Sequence, residues 1–190
     1  MSAIQITSRE TLSAQKYPLK HYTYQQPDGN GQMQELASEV YHRPDAVAVL
    51  LYNIHEEKFV LTRQFRLPSY LNGNHSGYLT ETCAGLIDEG ETPEQTAIRE
   101  VKEELGYQIS NLTKVGAVYT SAGGITEYLH LFISPIDDLQ NHGIGGGLAE
   151  EGEDIETIIL NFDKAHNLLK HGKLNDSKTV MLLQHYFLFH

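Results

Sequence analysis

Residues 85–107 read GLIDEGETPEQTAIREVKEELGY, and the rest of the chain is best understood outward from them. Thr92-Pro93-Glu94-Gln95 offers a hydroxyl at an N-cap, a proline at the first helical position and a glutamine at the third, which predicts a helix start with a capping box. Gly106 predicts its end. Between them Ala97, Ile98, Val101 and Leu105 recur at helical spacing, so that side is expected to pack on a core. Glu100 and Glu104 are four apart and stack on one face, with Glu103 beside them. Like charges at this spacing cost roughly 0.2–0.5 kcal/mol per pair, and Arg99, four from Glu103, offsets part of that. Two readings fit: a solvated acidic face, or carboxylates gathered for a hard divalent cation whose charge removes the repulsion. Taken alone, EVKEEL does not choose between them.

The charge of the whole chain is concentrated. Segment 88–104 holds seven acids against Arg99 and Lys102, and segment 149–156 holds five acids and no base, so the two carry ten of the eleven net negative charges. The basic residues are scattered singly and form no patch able to neutralise successive phosphates, which argues against nucleic-acid binding. With 190 residues, 40% hydrophobic and 21% charged, the composition is that of one globular domain with an appended subdomain. The single cysteine, Cys83, excludes an intramolecular disulfide and fits a reducing compartment, with the cytoplasm the expected address. The apolar run 46–52 is far below the roughly 18 residues of a membrane helix, and the start MSAIQITSRE has no signal-type apolar region, so neither membrane nor export is expected.

Before the central stretch, residues 5–44 read as an antiparallel meander, ITSRETLS, YPLKHYTYQQ and QMQELASEVYHR, reversed at PDGNG. AVAVLLYNI from Ala46 is a continuous apolar strand suited to burial on both faces, KFVLTRQFRLP alternates as a half-buried strand, and 78–87 reads as one further strand. After Gly106 come strands near VGAVYT, YLHLFIS and IETIILNF, a glycine-rich loop at 142–147, and helices near 163–171 and 176–190. The order predicts an α+β fold. None of the ten histidines falls in HxH or HExxH spacing, and Cys83 reads as a small core residue.

Gly85, five residues, Glu91, seven residues, then Arg99-Glu100-Val101-Lys102-Glu103-Glu104-Leu105-Gly106-Tyr107 resembles the Nudix box, Gx5Ex7REUxEExGU, in every fixed position. The one departure is Tyr107, where an aliphatic residue is usual. The resemblance implies an α/β/α sandwich with a mixed sheet over residues 45–190, preceded by an N-terminal antiparallel β subdomain over 1–44. It implies hydrolysis of a nucleoside diphosphate linked to another moiety, with magnesium, or manganese, held by box glutamates. By resemblance Glu100 and Glu104 are metal ligands, Ala84 adds its backbone carbonyl, and Glu103 ligates directly or through water. Glu91 and Arg99 orient helix and loop. In sugar-nucleotide members a glutamate on a later loop completes the metal site or acts as general base. Here GIGGGLAEEGEDIET supplies Glu153, with Glu151 and Glu150 as substitutes, and its glycines suggest an open segment that closes over substrate.

The resemblance spans almost the whole chain and points to the GDP-mannose pyrophosphatase branch of the ADP-ribose pyrophosphatase-like group. It is carried by LTRQFRLPSYLNGNHSGYLTETCAGL, SAGGITEYLHLF, the acidic glycine loop and GKLNDSKTVMLL. It implies that Arg66 meets phosphate, Glu127 lies by the sugar or a metal-bridged phosphate, and Lys178 meets the ligand. Ala84, Gly85 and Leu86 would line the substrate, and Tyr17 and Glu39 would come from N-terminal strands exchanged within a homodimer. Ser121-Ala122-Gly123 departs from the serine-proline-glycine common in the group, and Ala37-Ser38-Glu39 stands where relatives place basic residues. ADP-ribose or another nucleotide sugar is therefore the alternative substrate, and a catalytically silent binding module the remaining one.

Overall fold

The computed structural model describes residues 4–139, 143–148, 150, 152 and 154–190. Packing divides the chain into two compact units, Met1–Asp45 with Val118–Leu129, and Ala46–Ala117 with His130–His190.

In the first unit β1 (Gln5–Ala14), β2 (Pro18–Pro27) and β3 (Met33–Tyr41) form an antiparallel sheet in chain order. The β2–β3 reversal is built by Asp28, whose carboxylate accepts from the Asn30 and Gln32 amides at 2.8 Å each, and by Gly31 at φ +81°. Segment Val118–Leu129 is tied to the end of β3. The Tyr41 amide donates to the Gly124 carbonyl at 2.8 Å, and the Thr126 hydroxyl bridges the backbone N–H and C=O of Arg43.

The second unit is built on β4 (Ala46–Asn53), β5 (Lys58–Phe65), α1 (Leu67–Leu71), β6 (Tyr78–Glu81), β7 (Cys83–Leu86) and α2 (Pro93–Leu105). The chain continues with β8 (Thr113–Tyr119) and β9 (Tyr128–Pro135), of which residues 118–119 and 128–129 are counted with the first unit, and then with β10 (Glu156–Asn161), α3 (Phe162–Lys170) and α4 (Ser177–Phe189). Seven strands make one sheet in the order β10-β5-β4-β9-β8, with β6 on β5 and β7 on β4. Val47 to Leu51 of β4 are fully buried, because both faces of the strand are covered. Val47, Val49, Leu51, Val60 and Cys83 pack with Ala97, Val101 and Leu105 of α2. On the opposite face the Phe59 ring meets Phe162 of α3 at 4.4 Å and Tyr186 of α4 at 4.9 Å between centroids. Helices on both sides of a sheet give the α+β architecture expected, and each fully buried Leu or Phe contributes about 1.5–3 kcal/mol.

Three local expectations are corrected. Residues 78–87 do not form one strand: at Thr82 the chain switches partner, β6 pairing with β5 and β7 with β4, and the freed Thr82 amide donates to Thr179 Oγ1 at 2.8 Å. The run from Lys58 is not a half-buried, alternating strand: Phe59 to Thr62 are fully buried because β5 lies inside the sheet, and the strand stops at Phe65, with Leu67 opening α1 and Pro68 in its first turn. Ile98 is 42% exposed, because the sheet-facing side of α2 runs along Ala97, Val101 and Glu104, and Ile98 lies about 100° round the helix from Ala97. Tyr107 is buried where an aliphatic residue is usual, its hydroxyl donating to the Leu139 carbonyl at 2.8 Å. Among the described residues no helix is long and apolar enough to cross a membrane.

Candidate active site

Helix α2 begins with the capping box read from the sequence, Gln95 N–H donating to Thr92 Oγ1 and Thr92 N–H to Gln95 Oε1, and ends at Gly106 in the left-handed region, φ +76°. Its acidic face lies against β7. A Cβ at residue 85 would fall on the Glu100 carboxylate, so glycine there is what lets Glu100 reach the strand. Glu104 is 1% exposed and its Oε2 accepts from the Ala84 amide at 3.2 Å.

Arg99 organises the outer half of this face. Its Nε and Nη2 grip Glu91 at 3.1 and 3.0 Å, Nη1 donates to Glu100 Oε1 at 2.8 Å and Glu103 Oε2 at 2.9 Å, and Nη2 reaches the Leu86 carbonyl at 3.3 Å. These bonds, those accepted by Glu91 first, strengthen the proton affinity of the guanidinium, and the bonds Glu91 accepts from Arg99 and from the Thr96 hydroxyl hold its carboxyl below the ordinary range.

Among the described residues no three His, Cys, Asp or Glu side chains are gathered into a ready-made cation cage. The donor chemistry nonetheless fits a hard divalent cation: Glu100, Glu103 and Glu104 supply carboxylate oxygens from one helix beside the backbone of β7, with no soft ligand among them. A cation there would compete with Arg99 for Glu100 and Glu103.

Arg66 and Lys178 meet at a residue that sequence reading passed over. Glu81, at the end of β6, accepts from Arg66 Nε and Nη2 at 2.8 and 3.1 Å and from Lys178 Nζ at 2.9 Å. Lys178 Nζ also donates to Asp176 Oδ1 at 2.6 Å, and Asp176 caps α4 through the Thr179 amide at 2.9 Å. Burial works to raise the Glu81 carboxyl, but the Arg66 hydrogen bonds and the Lys178 charge outweigh it and hold the group below its usual value. The only signal was a buried-side position on a strand two residues before Cys83, which any polar residue at a strand end shares.

Tyr17, Glu39 and Glu127 belong to the first unit. Arg43, another residue missed, joins two of them: its Nη1 lies 3.2 Å from Glu127 Oε2 and its guanidinium 5.6 Å from the Tyr17 ring centroid. Glu127 Oε1 also accepts from Thr120 Oγ1 at 3.1 Å. Glu39 sits in β3 opposite His21.

The glycine-rich loop departs from the open segment expected. The amides of Gly143, Gly146 and Gly147 donate to the carbonyls of Gly106, Glu104 and Glu103 at 2.8, 2.8 and 3.2 Å. The last carbonyls of a helix have no partner within it, and here the loop supplies them. A Cβ at residue 145 would meet the backbone of Glu104 and Leu105, so the glycine serves close approach as well as freedom. Glu150 is exposed, while Glu151 and Glu153 lie outside the described residues.

A sequence model of the NUDIX domain matches residues 42–183. The chain is 42% identical over 184 residues to a GDP-mannose pyrophosphatase of Pectobacterium atrosepticum, covering 97% of this chain and 94% of that protein. It is 41% identical to a protein of the same name from Cronobacter sakazakii, covering 96% and 94%, and 40% identical to one from Escherichia coli, covering 98% and 96%. A solved structure, described as a crystal structure of ADP compounds hydrolase, superposes with a TM-score of 0.69 at 19% identity over 96% of this chain and 91% of that one, a likeness of fold.

Proposed function

The chain belongs to the NUDIX family, and from that premise we propose that it hydrolyses the pyrophosphate bond of a nucleotide sugar, GDP-mannose, to GMP and mannose 1-phosphate. The observation that carries the reading is similarity at 40–42% identity over 96% or more of the chain to proteins named for that activity, which extends through β1–β3 and α4 as well as the box. Glu100, Glu103 and Glu104, with the Ala84 carbonyl, would hold Mg2+, or Mn2+. Such a cation, when bound, neutralises phosphate oxygens and the charge growing on the leaving group. Arg66 and Lys178 bind the phosphates, and Ala84, Gly85 and Leu86 line the substrate. Glu153 takes the proton of the attacking water, with Glu151 and Glu150 as its substitutes, while Glu103 and Glu104 serve catalysis as the acids that hold the cation.

We further infer a homodimer in which Tyr17, Glu39 and Glu127 contribute to the sugar-nucleotide site, acting in the cytoplasm. Supporting it, β1 is an edge strand whose Ile6 and Leu12 are 53% and 45% exposed, a surface that a second copy would cover. The test is a panel of nucleotide sugars with magnesium, the products separated and identified, with light scattering on the same sample. GDP-mannose is expected as the preferred substrate of a dimer, with all turnover lost to chelation. Faster hydrolysis of ADP-ribose would reassign the substrate, a reading favoured by Glu39 in place of a base. No turnover with any of them would leave a binding module.

A further inference from the structure

Glu81 is the most enclosed charge of a four-charge network drawn from distant parts of the chain. Its side chain is 2% exposed, whereas those of Arg66 and Lys178, which it holds, are 40% and 18% exposed. The carboxylate therefore lies behind the two cations. Arg66 is the N-cap residue of α1, and Lys178 lies in the first turn of α4. Asp176 fixes Lys178 from the other side at 2.6 Å while its second oxygen accepts from the Thr179 amide and hydroxyl at 2.9 and 2.7 Å. Thr179 Oγ1 in turn accepts from the Thr82 amide, next in chain to Glu81. Both cation-bearing elements are thus referenced to the single point where the chain passes from β6 to β7.

Two carboxylates balance two cations, so the network is charge-compensated before any ligand arrives. The Glu81 fork takes Nε and Nη2 of Arg66, which leaves Nη1 outside it. A buried ion pair is a poor stabiliser compared with apolar residues of similar volume, because desolvation offsets most of its attraction. What Glu81 supplies that an apolar residue cannot is a common anchor that keeps two flexible, mutually repelling cations close together, their ordering entropy already spent before ligand binds.

We propose that Glu81 is a positioning residue for this enzyme, holding Arg66 and Lys178 side by side so that both meet the phosphates of a nucleoside diphosphate sugar; the proposal rests on the reading of those two cations as phosphate-binding groups. Glu81 acts through them and touches no substrate atom. Its removal acts on binding more than on turnover, and the effect shrinks once a cation it positions is gone.

The experiment compares Glu81→Gln, Glu81→Asp, Arg66→Ala, Lys178→Ala and the double variant Glu81→Gln/Lys178→Ala. It reads KM and kcat for GDP-mannose and ADP-ribose, and competition by inorganic pyrophosphate. In Glu81→Gln, KM and the pyrophosphate inhibition constant are expected to rise about 10-fold or more with kcat within about threefold. The double variant should fall well short of the product of its single effects, as residues acting as a unit do. Glu81→Asp retains the charge one methylene further back; it should fold if the Gln variant does not, and should still raise KM several-fold. Unchanged KM and pyrophosphate inhibition in the folded Glu81 variants, with only a lower Tm, overturns the proposal. If Arg66→Ala and Lys178→Ala also leave KM unchanged, the phosphate-binding reading fails with it; if they raise KM and the Glu81 variants do not, the positioning role alone fails.

Discussion

The Gly146 amide donates to the Glu104 carbonyl at 2.8 Å, so the glycine-rich loop is fastened to the last turn of the helix that bears the box glutamates. Gly145→Ala would drive a Cβ into the backbone of Glu104 and Leu105. Misplacement of about 1 Å in such a setting costs on the order of 10²-fold in rate, so kcat/KM should fall by at least 10-fold. Hydrogen exchange should show the amides of Gly146 and Gly147 losing protection in the variant. Normal activity with exchange unchanged would mean the loop has no bearing on the site.

Glu100→Gln and Glu104→Gln should fold and lose on the order of 10²-fold or more in kcat/KM, since an amide is a poorer ligand for a hard cation than a carboxylate. Gly85→Ala should approach the same loss by a different route, its methyl displacing the Glu100 carboxylate. Near-normal kinetics in either glutamate variant would contradict the assignment.

Arg99 satisfies Glu91, Glu100 and Glu103 at once. In Arg99→Gln those carboxylates keep their mutual repulsion and lose their cation, so Tm in chelator should drop. Adding magnesium should then raise Tm by more than it does in the parent protein, because binding to the folded state alone stabilises in proportion to affinity. Equal magnesium shifts in the two proteins would show that Arg99 and the cation do not compete.

The depressed Glu81 carboxyl makes a signed prediction for acid stability. A group whose folded value lies below its unfolded value of 4.5 stabilises the fold in full above 4.5, and that contribution is lost as the pH falls through the lower folded value. The urea midpoint should therefore decline as the pH is lowered from 5 towards 3, and more shallowly in Glu81→Gln. The slope is the readout, because it is independent of the stability from which the variant starts at neutral pH. A parallel decline in both would place the acid-labile groups elsewhere.

The helix of 93–105, its capping box, its stop at Gly106 and the β2–β3 reversal at Asp28–Gly31 were legible in the sequence because each is set by interactions within about five residues, where spacing alone dictates geometry. The carboxylate face of α2 was legible for the same reason: 3.6 residues per turn puts Glu100 and Glu104 together whatever surrounds them. Its partners were legible only in part. The Arg99–Glu103 pair follows from their four-residue spacing, but that the same guanidinium would also reach Glu100, Glu91 and the Leu86 carbonyl depends on how β7 and the following loop pack against the helix. Glu81 joins residues 15 and 97 positions away, Thr82 finds its acceptor on α4, and Arg43 finds Glu127 across the segment packed on β3. The loop glycines read as freedom in the sequence and serve contact as well in the fold, because carbonyls at the end of α2 that have no acceptor role within the helix gain one only once tertiary packing brings another backbone within about 3.2 Å of them.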